Sequence, residues 1–119
     1  AIGSIAADRE MLTRALNNLL SNAIRHTPRG KSITVLLSQD EQWTTISVVN
    51  PGEKIPEPDL PKLFNRFYRV DPARQRNTAG AGLGLAIVKS IAEAHGGSVA
   101  VTSSELVTRF DLALPHLRQ

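Results

Sequence analysis

Three asparagines within an otherwise apolar helical pattern are the residues of this sequence that most clearly suggest a binding site. Asn17, Asn18 and Asn22 lie among leucines and alanines, although the asparagine amide competes for backbone hydrogen bonds inside a helix. Asn18 and Asn22 are four residues apart and project from one side of a helix, with Arg25 and His26 one turn further on. Such an edge can hold a hydrated metal ion and phosphate oxygens. A polar, solvent-facing side is the simpler interpretation of this helix taken alone.

Glycines at alternate positions form a second candidate site. Residues 80–85 read Gly-Ala-Gly-Leu-Gly-Leu and directly precede a helical pattern. Glycine lets the backbone come close to a ligand, and the free N–H groups at a helix start favour an anion. The spacing matches neither the dinucleotide-binding fingerprint nor the P-loop. A flexible linker is the alternative interpretation of this segment.

Two further segments combine a break in regular structure with side chains that could bind a ligand. Residues 50–56 form a strand end that opens into a loop, for which a plain turn is the simplest interpretation. Residues 63–69 hold three of the five aromatic residues, which could also form a satellite hydrophobic cluster under a long loop.

Basic residues are concentrated between Lys62 and Arg76, where the sequence has five basic residues and one acidic residue. Clustered positive charge attracts an anion such as a triphosphate, although a solvated basic loop is the plainer interpretation.

The composition excludes several classes of protein. The 119 residues include no cysteine, so disulfides, thiolate metal sites and cysteine nucleophiles are excluded. The net charge of +3 and the 41% hydrophobic content are ordinary for a globular fold. No apolar run approaches the roughly 20 residues of a membrane span, and no nucleic-acid-binding module is readable, so no nucleic-acid partner is predicted. We expect residues 1–119 to form one domain.

Two helices are predicted from the hydrophobic periodicity. Asp8 can cap the first helix, whose apolar residues recur at helical spacing to about Ile24. A loop over residues 70–82 precedes the second helix, which is predicted over residues 83–95. Two consecutive glycines, Gly96 and Gly97, end it in the usual C-terminal way.

Four strand-like runs complete the fold prediction. The runs at 32–38 and 43–49 predict one antiparallel hairpin, and those at 98–103 and about 108–114 predict another. The prolines at 51, 56, 58 and 61 exclude regular structure until a short helical turn near 60–64. The predicted fold class is therefore an α/β (α+β) two-layer sandwich: a mainly antiparallel mixed sheet with helices covering one face.

Together, the four segments resemble the four boxes of the ATP-binding catalytic domain of bacterial sensor histidine kinases, in the family's order and spacing. Residues 18–27 resemble the N box, 50–56 the G1 box, 63–71 the F box, and 80–89 with 95–97 the G2 box. The resemblance covers nearly the whole chain. The Asn-Pro-Gly and Phe-Tyr-Arg-Val-Asp-Pro stretches are most similar to heavy-metal sensor kinases. The resemblance implies the Bergerat ATP-binding fold.

The resemblance also implies a site for ATP and Mg²⁺. Asn22 would ligate the Mg²⁺ that bridges the phosphates, and Asn18 would lie beside the phosphates or metal. Arg25 would contact phosphate, His26 would pack near the nucleotide, and residues 71–79 would form a lid. The complete implied set of nucleotide-binding residues is Asn18, Asn22, Arg25, His26, Asn50, Gly52, Ile55, Tyr68, Arg69, Gly80, Gly82, Leu83, Gly84 and Leu85.

The implied activity is transfer of the γ-phosphoryl group of ATP to a histidine on a separate dimerisation domain, with a response regulator as downstream partner. The chain would be the cytoplasmic part of an inner-membrane sensor, with any membrane contact made by other parts of that protein. None of His26, His95 and His116 is followed by the acid that accompanies the acceptor histidine. We therefore expect no catalytic phosphoacceptor in this chain and no autophosphorylation by it.

Three positions depart from the family pattern. Asn50 stands where the family reads adenine with an aspartate, Lys54 replaces the usual second glycine of the G1 box, and Val107 stands where a glycine is common before Thr108. The changes at Asn50 and Lys54 are expected to alter the ATP affinity by about a factor of ten relative to the family pattern. A degenerate nucleotide-binding or docking module is the alternative function. A protein kinase of the anti-sigma type is a further alternative, but the F-box resemblance of residues 63–69 argues against it.

Overall fold

The computed structural model describes residues 8–52, 54–66 and 84–115. Its elements in chain order are helix α1 (Arg9–His26), strands β1 (Thr34–Gln39) and β2 (Trp43–Pro51), a 3₁₀ helix (Glu57–Lys62), helix α2 (Gly84–Ala94), and strands β3 (Ser98–Ser103) and β4 (Val107–Pro115). Both predicted helices and all four predicted strands are present, with bounds that differ from the predictions by at most two residues. Among the helices of these ranges, none is long and apolar enough to cross a membrane.

The first helix begins and ends at residues that the sequence makes recognisable. The Asp8 side chain accepts a hydrogen bond from the Met11 N–H at 3.0 Å, which satisfies one of the free donors of the first turn. The helix ends at His26, because Thr27 precedes a proline and takes an extended conformation. Its buried positions Ala15, Leu19 and Ala23 are four residues apart and form one face.

The four described strands form one antiparallel sheet in the order β1-β2-β4-β3. Each predicted hairpin is present, and β2 pairs with β4 to join the two hairpins. The α1 helix packs on β2, while α2 packs on α1, β3 and β4. The predicted two-layer sandwich, with helices on one face of the sheet, is therefore confirmed.

The 3₁₀ helix begins earlier than the sequence predicted. It starts at Glu57 rather than near residue 60, and Pro58 lies in its first turn. A proline is tolerated there because the first N–H groups of a helix have no partner within the helix. The expectation that the prolines exclude regular structure as far as residue 60 was therefore wrong.

The end of α2 is fixed by a Schellman motif. The Gly96 N–H donates to the Glu93 carbonyl at 3.0 Å, and the Gly97 N–H donates to the Ala92 carbonyl at 2.8 Å. Gly96 has a φ of +75°, which favours glycine. The chain then enters β3 so close to β4 that a Cβ atom at Gly97 would lie 2.0 Å from the Ala113 carbonyl oxygen.

The hydrophobic core lies between the sheet and the helices and includes part of the predicted F box. Leu63 is buried in this core, and Phe64 packs against it. The Phe64 ring meets the Phe110 ring edge to face, with centroids 6.0 Å apart and an interplanar angle of 89°, which is a favoured aromatic geometry. For Leu63 and Phe64, the interpretation as a satellite cluster was therefore wrong.

The close approach at Gly97 leads to a prediction about stability. We expect Gly97→Ala to lower the free energy of unfolding by about 1–3 kcal/mol, because the added methyl group must displace the β4 backbone. Urea unfolding of both proteins measures the difference. Gly84→Ala is the matched control, since a Cβ atom there meets no heavy atom within 4 Å. Equal stability of the Gly97 and Gly84 variants would contradict the prediction.

Candidate functional site

The packing of α2 against α1 is anchored at one end by His95. His95 Nε2 accepts a hydrogen bond from the Asp8 N–H at 2.9 Å, so the end of α2 lies beside the beginning of α1. The other ring nitrogen, Nδ1, donates to the Ile91 carbonyl at 2.9 Å. Gly84 begins α2 at the end of that helix opposite His95.

Burial distinguishes the N-box asparagines from an ordinary polar surface. Asn22 is only 7% exposed, and the Asn18 Nδ2 atom is buried without a hydrogen-bond partner. Buried polar atoms almost always have partners, so each exception needs an explanation such as a ligand. The interpretation of this edge as a polar, solvent-facing side does not hold for Asn22.

An open cavity of about 390 Å³ lies beside Asn18. Arg14, Asn18 and Asn22 succeed one another at four-residue spacing and so form one line along α1. Arg14 is not among the predicted site residues, although its four-residue spacing from Asn18 is a signal in the sequence. The described residues that line the cavity are Arg9, Glu10, Thr13, Arg14, Asn17 and Asn18, and they do not reach the G1 loop.

Asn50 lies at the end of β2 with its side chain buried. The residue is 3% exposed and pairs with Thr108 of β4 in the sheet register. Its Nδ2 atom donates a hydrogen bond to the Pro51 carbonyl at 3.1 Å. No described residue donates a hydrogen bond to Asn50 Oδ1. The oxygen can therefore accept a hydrogen bond from a ligand.

The G1 loop passes close to the end of α1 at Gly52. A Cβ atom at this position would lie 3.0 Å from the His26 carbonyl oxygen, so glycine permits the close approach. The structure thus brings the predicted site residues Asn50 and Gly52 to the end of the helix that carries Asn22. Lys54 is exposed, while Ile55 is partly buried against the core.

His26 has an altered proton affinity. Loss of water around its ring, and then the positive charge of neighbouring Arg25, lower the pKa of His26 below its ordinary value of 6.5. Part of the residue is still exposed, and solvent there limits the size of both effects. The lowered pKa favours the neutral imidazole, which can pack against a ligand without adding charge.

Several predicted site residues lie outside the described residues. These are Tyr68, Arg69, Gly80, Gly82, Leu83 and the predicted lid at 71–79. Among the described members, Gly84 begins α2 and Leu85 packs against the core from the first turn. Arg25 is exposed in the last turn of α1.

The chain is a two-layer sandwich with a buried asparagine on its first helix and a strand end close to the end of that helix. The sequence matches the family model described as "Histidine kinase-, DNA gyrase B-, and HSP90-like ATPase" over residues 7–118. The chain belongs to this family.

Individual relatives narrow the similarity to sensor kinases. The chain is 53% identical over 115 residues to the "Probable sensor kinase SilS" of Salmonella typhimurium, and the match covers 97% of the chain but only 23% of SilS. The solved "Mycobacterial sensor histidine kinase MprB" has a TM-score of 0.83 at 32% identity, covering 97% of this chain and 78% of that one. Full-length ShkA in complex with AMPPNP also has a TM-score of 0.83, at 27% identity, covering 99% of this chain and 24% of ShkA. The predicted resemblance and the predicted fold are confirmed, and the fold is that of a histidine kinase catalytic domain.

The lowered pKa of His26 predicts how stability depends on pH. The folded protein binds the His26 proton less readily than the unfolded chain does, so the stabilisation is complete above pH 6.5 and is lost as the pH falls through the folded-state pKa. We expect His26→Gln to reduce the loss of stability between about pH 7.5 and pH 5. Urea unfolding at several pH values measures this, and parallel curves for the two proteins would contradict it.

Proposed function

We propose that this chain binds Mg-ATP and serves as the catalytic domain that delivers the γ-phosphoryl group to a histidine on a dimerisation domain. The observation that carries the proposal is the pair of N-box asparagines, one buried at 7% exposure and the other with a buried, unpartnered amide nitrogen. Both lie on one side of α1, the helix against which α2 packs. A bound nucleotide would give these groups the polar partners that the protein does not provide.

The side chains of Asn18 and Asn22 are chemically suited to bind the phosphates and the metal ion. The Asn18 Nδ2 atom is a donor, so it suits a phosphate oxygen rather than a cation. The amide oxygen of Asn22 suits Mg²⁺, which prefers oxygen ligands and takes few of them from protein. In residues 8–52, 54–66 and 84–115, no group of three or more His, Asp or Glu could hold a metal ion, so Asn22 and the phosphates would supply the ligands. Bound Mg²⁺ would neutralise charge that develops on the phosphates.

The adenine end of the nucleotide would be recognised by Asn50. Its free Oδ1 can accept a hydrogen bond from the exocyclic amino group, while Pro51 engages its Nδ2. A neutral acceptor is weaker than a carboxylate by about 1 kcal/mol. Support comes from the similarity to ShkA, which was solved in complex with AMPPNP, a compound with an imido group in place of the β,γ-bridging oxygen of ATP.

The similarity to sensor kinases supports a proposal for the partners and the location of this domain. We expect residues 1–119 to be one domain of a longer sensor, since the match covers only 23% of SilS. Its partners would be its own dimerisation domain and a response regulator, and the sensor would lie in a membrane with this domain in the cytoplasm. The Asn-Pro-Gly and Phe-Tyr-Arg-Val-Asp-Pro stretches favour a metal-responsive system.

Nucleotide binding leads to the first functional prediction. We expect calorimetric titration to give Mg²⁺-dependent, micromolar binding of ADP and AMPPNP, which Asn22→Ala weakens by about tenfold or more, because the metal loses its protein ligand. Gln42→Ala is the control, since this exposed amide lies in the turn before β2, at the opposite end of that strand from Asn50. Failure of the native chain to bind either nucleotide at millimolar concentration would favour the degenerate module instead.

Phosphate chemistry by the chain alone leads to a second prediction. The Asn18 amide cannot act as the base that activates water, and both ring nitrogens of His95 are engaged in hydrogen bonds. We therefore expect phosphate release from ATP no faster than in buffer, and no radiolabelled protein after incubation with γ-labelled ATP. A sample shown by calorimetry to bind nucleotide serves as the positive control. Rapid phosphate release or a labelled band would contradict the expectation that this chain alone neither hydrolyses ATP nor phosphorylates itself.

A further inference from the structure

The tip of the β3–β4 hairpin lies against the G1 loop. The last pairs of the β2–β4 register are Asn50 with Thr108 and Pro51 with Val107. Immediately beyond them, the Gly52 N–H donates a long hydrogen bond, 3.4 Å, to the Leu106 carbonyl. The hairpin therefore borders the loop that would read adenine.

Ser103, the last residue of β3, links this loop to the strand beside it. Its Oγ accepts a hydrogen bond from the Ile55 N–H at 2.9 Å and lies 3.0 Å from the Thr108 Oγ1. A serine hydroxyl has one donor and two acceptor positions, so both contacts can form at once. Thr108 is only 4% exposed, which shields its contact with Ser103 from competition with water.

The asparagine at position 50 makes the geometry of this loop important for selectivity. A carboxylate can only accept hydrogen bonds, whereas an amide can present either its oxygen or its NH₂ group to a ligand. The hydrogen bond from Nδ2 to Pro51 selects the orientation that offers the oxygen. That orientation lasts only while Pro51 and the residues that follow it keep their positions.

We propose that Ser103 is a positioning residue that sets the selectivity for adenine by holding the G1 loop, and through it the Asn50 amide, in place. The inference rests on the proposed nucleotide binding. Ser103 acts through Ile55 on the loop and through Thr108 on the strand position paired with Asn50. Without its hydroxyl, the loop loses the hydrogen bond from the Ile55 N–H to the hairpin, and the Asn50 amide becomes free to turn.

The test compares ADP with IDP, which carries an oxygen in place of the exocyclic amino group. Calorimetry in the presence of Mg²⁺ gives both affinities for the native chain, Ser103→Ala and Ser103→Thr, with Ser98→Ala as the control at the exposed start of β3. We expect the native chain to prefer ADP by about tenfold or more. In Ser103→Ala the preference should fall at least about threefold, because an amide that can turn can also donate a hydrogen bond from its NH₂ group to the IDP oxygen. Ser103→Thr should restore the preference, and Ser98→Ala should leave it unchanged.

The ratio of the two affinities separates positioning from a loss of folded protein, which lowers both affinities equally. An unchanged ratio in Ser103→Ala, with a selective native chain, would overturn the inference and leave the proposed function intact. If the native chain binds neither nucleotide, the proposed function and the inference both fall. If it binds both equally, the inference and the proposed recognition of adenine by Asn50 fall, while the proposed binding of a Mg-nucleotide stands. Should Ser103→Ala not fold, Ser103→Thr and Ser103→Val decide, since they differ only in a hydroxyl group against a methyl group, and equal selectivity in this pair would overturn the inference.

Discussion

The pairing of β2 with β4 at the centre of the sheet is the constraint on which both the core and the candidate site depend. Val48 and Phe110 face each other on the buried side, while on the other side Ser47 donates a hydrogen bond to Asp111. A shift of one residue would exchange these faces and place the polar pair in the core, so the register is strongly specified. The same register places Asn50 at the strand end, where the G1 loop begins.

The first helix carries its core-packing residues directly beside the residues proposed to bind nucleotide. Ala15, Leu19 and Ala23 are at most 1% exposed and fix the helix on the sheet, while Asn18 and Asn22 lie at the edge of that face. A buried amide without a partner costs about 1–3 kcal/mol, which a purely structural helix would avoid with an apolar residue. Breaks of a local rule within an otherwise consistent element are expected at functional sites. The firmly packed face fixes the position of the asparagines.

Local signals explain how much of this fold could be predicted from the sequence. The cap at Asp8 and the glycines after α2 gave the helix ends closely, because each acts on residues only a few positions away. The burial of Asn22 could not be predicted, since an exposed and a buried asparagine have the same helical spacing. The contact from Ser103 to Ile55 spans 48 residues and depends on the order of strands in the sheet. No local pattern records such a contact.

An amide in place of a carboxylate at position 50 changes what the surrounding protein must do. A buried carboxylate carries a large desolvation cost but is an acceptor whichever way it turns. The amide has a lower desolvation cost, yet its two ends have opposite hydrogen-bonding character. At 3% exposure, Asn50 has little water to settle its orientation, so the Pro51 carbonyl does so. In the proposed site, recognition of the base would then depend on where the backbone of the loop lies, and the residues that hold this backbone would take part in recognition without touching the ligand.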